Sequence, residues 1–120
     1  LCVDDDKDIL ILIGHMLKLR PNIKLLTSTE ALQGLELAKT HLPDLIILDI
    51  NLPQMDGYAM LRHLQDNENT RNISVMACSA HSSQTEIDKS LSAGFMRYIV
   101  KPFKIPVFLE LIDSILADKQ

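Results

Sequence analysis

No stretch of the sequence approaches the roughly eighteen consecutive apolar residues that a membrane-spanning helix needs. No secretory signal pattern opens it either. Both absences lead us to expect a cytoplasmic protein with no membrane insertion. There is no basic excess: 12 Lys and Arg stand against 16 Asp and Glu, a net charge of −4. That argues against direct nucleic-acid binding, which needs a basic face. Cysteine is scarce. Cys2 and Cys78 are the only two, each inside an apolar run, with no C-x-x-C pair and no histidine at zinc spacing. Buried reduced thiols are expected rather than a disulfide or a thiolate metal site. Low-complexity tracts, repeats and long linkers are also missing. What remains is 120 residues, 47% apolar and 23% charged, the profile of one globular domain with a real core. We read 1–120 as that domain. It opens on Leu1-Cys2-Val3 without Met, as if inside a strand, so the start of strand 1 is expected to lie upstream and any partner domain outside this segment.

Two periodicities alternate along the chain. Leu1–Val3 is a short apolar run, and Ile9, Leu12, Ile13, Met16 and Leu17 then fall on one helix face. Arg20-Pro21-Asn22 breaks that helix, and Ile23–Leu26 forms a second apolar run. Thr27 and Glu30 are spaced for a capping box, before a helix with Ala31, Leu32, Leu35 and Ala38 inward that Leu42-Pro43 ends. Leu45–Leu48 has no polar alternation, the mark of a strand buried on both faces. A turn-rich loop, Asp49–Gly57, leads to a helix face of Tyr58, Leu61 and Leu64. Ile73–Cys78 reads as a fourth strand, Gln84–Ser92 as a polar helix held by Ile87 and Leu91, and Tyr98–Val100 as a fifth strand. Val107, Phe108, Leu111, Ile112, Ile115 and Leu116 make the last helix face. A strand followed by a helix, five times over, predicts an α/β fold: an open, doubly wound five-stranded parallel sheet with helices on both faces.

In such sheets the ligand site lies outside the carboxyl ends of the strands. The residues there are Asp4, Asp5 and Asp6 after strand 1, Asp49 and Asn51 after strand 3, Ser79, Ala80 and His81 after strand 4, and Lys101 and Pro102 after strand 5. Carboxylates gathered on one rim repel each other, and a hard cation removes that cost. Mg²⁺, or Mn²⁺ in its place, suits oxygen ligands of this kind. Asp5 and Asp49 would supply carboxylates, Asp4 would act through a water, and the backbone carbonyl of Asn51 would complete the protein's share. Asp49 is the candidate nucleophile, since a carboxylate can take a phosphoryl group as an acyl phosphate. Lys101 and the Ser79 hydroxyl would hold phosphoryl oxygens, because such transfer needs positioning and charge neutralisation above all.

At this point the chain resembles response-regulator receiver domains, from end to end. The matching motifs are Val3-Asp4-Asp5-Asp6, Leu48-Asp49-Ile50-Asn51-Leu52-Pro53-Gln54-Met55-Asp56-Gly57, Cys78-Ser79-Ala80 and Val100-Lys101-Pro102-Phe103. The resemblance implies the flavodoxin-like (βα)5 fold with strand order 2-1-3-4-5. It implies phosphorylation of Asp49 by a sensor histidine kinase or a histidine phosphotransfer domain, with Mg²⁺ on Asp4, Asp5, Asp49 and the Asn51 carbonyl. Ser79 becomes the switch hydroxyl, Lys101 the phosphate-binding lysine and Tyr98 the switch aromatic, and Lys101-Pro102 a cis peptide. The readout face would be helix 4, strand 5 and helix 5, helix 4 being the mobile element, with a phosphorylation-linked dimer as one consequence. Ala93-Gly94-Phe95 and Arg97-Tyr98-Ile99 also resemble receivers fused behind hybrid sensor kinases, so a kinase or output domain would lie outside the segment.

Blander readings stand beside these. Asp4–Asp6 could complement a helix N-terminus, and Asp56-Gly57 reads as a structural turn into helix 3. His15, His41 and His63 read as surface residues, while His81 borders the site. The five Met residues read as core filler and loop residues. An aspartate-nucleophile phosphatase would need an acid where Asn51 stands, and its paired acids late in the chain rather than first. A phosphate-independent module usually lacks an acid or the lysine, and both are present. We therefore expect a switch that catalyses only its own phosphorylation and dephosphorylation, not an enzyme.

Overall fold

The computed structural model describes residues 1–117. Five strands, β1 Cys2–Val3, β2 Thr27–Ser28, β3 Leu45–Asp49, β4 Ser74–Ser79 and β5 Arg97–Val100, alternate with α1 Lys7–Leu17, α2 Ala31–His41, α3 Gly57–Asp66, α4 Gln84–Ala93 and α5 Ile105–Ala117. All strand pairs are parallel, in the order β2-β1-β3-β4-β5. This is the flavodoxin-like arrangement expected above.

β3 shows why. All five of its residues are buried, so it must lie mid-sheet with both faces covered. Ile46 and Leu48 join Val3, Ala31, Leu35, Met60, Leu64 and Phe95 on the side of α2 and α3. Leu45 and Ile47 join Cys2, Ile13, Met16, Cys78, Phe108 and Ile112 on the side of α1 and α5. Cys2 and Cys78 are both buried and free, as expected.

Several sequence expectations change at the helix faces. Leu32, expected inward, is 65% exposed. A helix turns by about 100° per residue, and α2 meets the sheet along Ala31, Gly34, Leu35 and Ala38. The approach is so close that a Cβ at Gly34 would lie 2.8 Å from Val3 Cγ2. Leu32 falls a quarter-turn off that line. Val107 and Leu91 are exposed as well. In α5 the buried face is Phe108, Leu109, Ile112 and Ile115, and in α4 the buried residue is Ser90. The Thr27–Glu30 capping box does not form. Glu30 caps α2 without a side-chain bond, and Ser28 Oγ instead accepts from the Glu30 N–H and donates to its carbonyl. The ladder of β2 falls on Thr27–Ser28 rather than on Ile23–Leu26, although the Leu26 carbonyl accepts from the Cys2 N–H.

Candidate functional site

The three leading acids divide their work. Asp6 ends the extended chain before α1 and accepts from the Asp8 N–H at 2.9 Å, a helix cap. Asp4, 1% exposed, accepts from the Asp6 N–H and turns into the rim, while Asp5 is exposed beside it. The helix-terminus reading thus holds for Asp6 alone.

Asp49 ends β3 and is 5% exposed. One carboxylate oxygen accepts from the Asn51 N–H at 3.0 Å, and the other faces Lys101 Nζ at 3.4 Å. Lys101 Nζ also reaches Asp4 at 2.7 Å, and the Lys101 backbone N–H donates to the Ser79 carbonyl, so β4 and β5 set the residue's position together. Burial raises the Asp49 carboxyl pKa, and the Asp4 charge pushes the same way, against the Asn51 N–H and Lys101. Burial works against the Lys101 charge, but the Asp4 hydrogen bond and the neighbouring negative fields outweigh it and raise the lysine pKa. Burial also pushes the Cys78 thiol up to about 12, so the sulfur next to the site stays protonated.

Ser79 ends β4 and is 1% exposed. Its Oγ accepts from the His81 N–H at 3.1 Å and from Asn51 Nδ2 at 3.4 Å. Tyr98, half-buried on β5, donates its hydroxyl to the His81 carbonyl at 2.7 Å. The backbone of His81 therefore joins Ser79 to Tyr98, a role with no signal in the sequence, since any residue carries an N–H and a C=O. Its side chain is exposed, as are those of His15, His41 and His63.

The loop between Asp49 and α3 closes tightly. The Gly57 N–H donates to the Ile50 carbonyl at 2.7 Å, and a Cβ at Gly57 would lie 2.6 Å from Ile50 Cα and 3.0 Å from the Asp49 carbonyl oxygen. Asp56 caps α3 through the Ala59 N–H. Asp56-Gly57 is structural, as the sequence suggested. The Lys101-Pro102 peptide is cis.

Asp4, Asp5 and Asp49 each offer a carboxylate oxygen within 4.8 Å of the others. Two of the three are buried, and one lysine cannot balance three charges. A cluster of hard oxygen donors with surplus negative charge fits Mg²⁺ or Mn²⁺. A cavity of about 230 Å³ opens beside it, lined by Asn51, Tyr58, Ser79, His81, Glu86 and Lys89 among others. A larger hollow of about 350 Å³, around Leu17, Leu25, Ile112 and Leu116, contains none of the rim residues. No described helix is long and apolar enough to cross a membrane.

The rim chemistry agrees with what the chain is similar to. The family model for the response regulator receiver domain matches residues 1–113. The polar-differentiation response regulator DivK of Brucella ovis is 39% identical over 87 residues, which is 72% of this chain and 71% of that protein. The receiver domain of a Francisella response regulator superposes with a TM-score of 0.90 at 25% identity, covering 99% of this chain and 96% of that one. The receiver domain of a Pseudomonas aeruginosa PAO1 sensor histidine kinase gives 0.85 at 26%, covering 97% and 94%, and holds a magnesium ion in its active-site cleft. Motifs, strand order and matched length agree: this chain belongs to the response regulator receiver domain family.

Proposed function

We propose that this domain is a Mg²⁺-dependent phosphoacceptor switch of a two-component system, working in the cytoplasm. One observation carries the reading: a buried carboxylate, Asp49, stands between two further carboxylates and a lysine 3.4 Å away, with the Ser79 hydroxyl on the same rim. The donor would be a phosphohistidine of a sensor histidine kinase or a histidine phosphotransfer domain. An Asp49 oxygen–phosphorus bond forms, the nitrogen–phosphorus bond breaks, and the departing imidazole takes up a proton. Mg²⁺ or Mn²⁺, held by Asp4, Asp5, Asp49 and the Asn51 carbonyl, would supply charge neutralisation at the phosphoryl oxygens. The magnesium in the Pseudomonas neighbour supports that assignment.

Lys101 would pair with a second phosphoryl oxygen and Ser79 would donate to a third. In this structure Ser79 Oγ accepts from the His81 N–H and from Asn51 Nδ2, so its own proton is free for that bond. Drawing the hydroxyl towards the phosphoryl group would pull on the His81 backbone, whose carbonyl holds Tyr98. Tyr98 would then turn inward and the surface of α4, β5 and α5 would change. α4 contributes only one buried residue, so it costs little to displace. The same face would carry a phosphorylation-linked dimer. A partner's helices could dock beside the rim, where Ile11 and Leu12 on α1 and Ile105 and Val107 on α5 are exposed. The domain would turn over only its own phosphoryl group and so is not an enzyme toward other substrates.

Intact-protein mass spectrometry after incubation with Mg²⁺ and a small acyl phosphate tests this. One added phosphoryl group is expected, absent without Mg²⁺ and absent in Asp49→Ala. An unmodified parent that also fails to bind Mg²⁺ would sink the reading and favour a phosphate-independent module.

A further inference from the structure

We infer that Tyr58 and Ser90 form a latch that holds α4 in its resting position and couples it to the Asp49 loop by a route separate from Ser79 and Tyr98. The inference rests on the switch reading above for its link to phosphorylation, and on geometry alone for the latch.

α4 has little to hold it. Ser90, fully buried, is its buried residue, and a serine gives almost no apolar contact. The helix is held by polar contacts instead. The Ser90 hydroxyl donates to the Glu86 carbonyl at 2.9 Å, which uses its only proton. In the 2.9 Å contact between Ser90 Oγ and the Tyr58 hydroxyl, the phenol is therefore the donor. Lys89, the residue before Ser90 in α4, sets Nζ 4.7 Å from the centre of the Tyr58 ring. The ring meets Phe95 edge-on, with centroids 5.8 Å apart. One side chain of α3 thus touches α4 at two successive residues and packs on the residue that leads into β5.

Tyr58 is also fixed at its other end. It follows Gly57, whose N–H is bonded to the Ile50 carbonyl directly after Asp49. The cavity of about 230 Å³ lies between Tyr58 and the start of α4, so α4 has room to shift. A shift would strip the buried Ser90 oxygen of its donor, and this biases the unphosphorylated domain towards rest. The latch sets how much of the active arrangement is present before any phosphoryl group arrives.

Hydrogen exchange of the unphosphorylated chain tests the latch without any phosphorylation chemistry. In Tyr58→Phe the ring stays and only the hydroxyl goes. Amides of residues 86–93 are expected to exchange about five to ten times faster, the effect of one lost hydrogen bond on local opening, while those of β3 are unchanged. Ser90→Ala should give the same change, and the double variant no more than either alone. Unchanged α4 exchange, or fully additive effects, would overturn the latch. Titration with beryllofluoride and Mg²⁺ then tests the coupling: Tyr58→Phe should bind several-fold tighter than the parent, since what favours the active state favours its ligand. Faster exchange with equal affinity would overturn the coupling. A parent that takes no beryllofluoride would overturn the phosphoacceptor reading and the coupling with it, and would leave the exchange result to judge the latch.

Discussion

Gly57→Ala should cripple the domain although it adds a single methyl group. A Cβ at that position would stand 2.6 Å from Ile50 Cα, 3.0 Å from the Asp49 carbonyl oxygen and 3.3 Å from Ile50 N. All three are backbone atoms, and none can rotate aside. The start of α3 must back away, which lengthens the 2.7 Å bond from the Gly57 N–H to the Ile50 carbonyl. Overpacking of this kind costs about 1–3 kcal/mol, here at the upper end because the obstacle is main chain. The weakened hydrogen bond adds about 1 kcal/mol. Against these, the alanine chain loses less entropy on folding, a gain of about 0.4–1 kcal/mol. A net loss of about 3 kcal/mol follows, to be read from urea denaturation as a lower midpoint at unchanged slope.

Gly14 supplies the control. It lies inside α1, and the nearest atom to its added Cβ would be Leu25 Cδ2 at 3.9 Å, an ordinary contact. Gly14→Ala should therefore stabilise, by up to about 1 kcal/mol from helix propensity. The two variants make the same chemical change in opposite directions of stability. If Gly57→Ala unfolds at the parent midpoint, the close approach does not constrain the loop and the argument fails.

The remaining predictions concern the rim and the surface. Lys101→Met leaves the buried Asp4 carboxylate without its 2.7 Å partner and should cost about 2–4 kcal/mol without metal; Mg²⁺ should then stabilise the variant more than it does the parent, measured as a difference in denaturation midpoint, and an equal effect would refute the charge-balance argument. Leu32→Lys should change stability by no more than about 0.5 kcal/mol, because Leu32 is largely exposed, whereas Leu35→Lys should unfold the domain by circular dichroism. Arg20 and Asp113 form a surface pair at 2.7 Å that lowers the Asp113 pKa; that contribution is present above the ordinary carboxylate pKa and fades as pH falls through the lowered folded value, so the Asp113→Asn deficit should shrink in acid.

The site was more legible in the sequence than the packing around it, and the reason is physical. Asp4, Asp5, Asp49, Ser79 and Lys101 were placed on one rim, where the structure also brings them together, because the parallel sheet delivers strand ends there and the candidate chemistry demands particular atoms. Few substitutes exist for a carboxylate or an ammonium there. Leu32, Leu91 and Val107 were misplaced because leucine and valine say only that a surface can be buried, not which side of a helix meets the sheet. For α2 that choice was made by a residue with no side chain, Gly34, which lets the helix approach Val3. The backbone role of His81, a residue placed beside the site, and the role of Ser90 escaped notice for a related reason. One acts through its backbone and the other through a proton whose direction depends on Glu86. Tyr58 was read as one residue of a helix face with Leu61 and Leu64, and its ring does pack on Phe95, yet its hydroxyl ties down a helix that hydrophobic burial scarcely holds. The positions that carry chemistry are thus spelled out in residue types. The positions that decide how far a helix moves are spelled out in distances, and these exist only once the chain has folded.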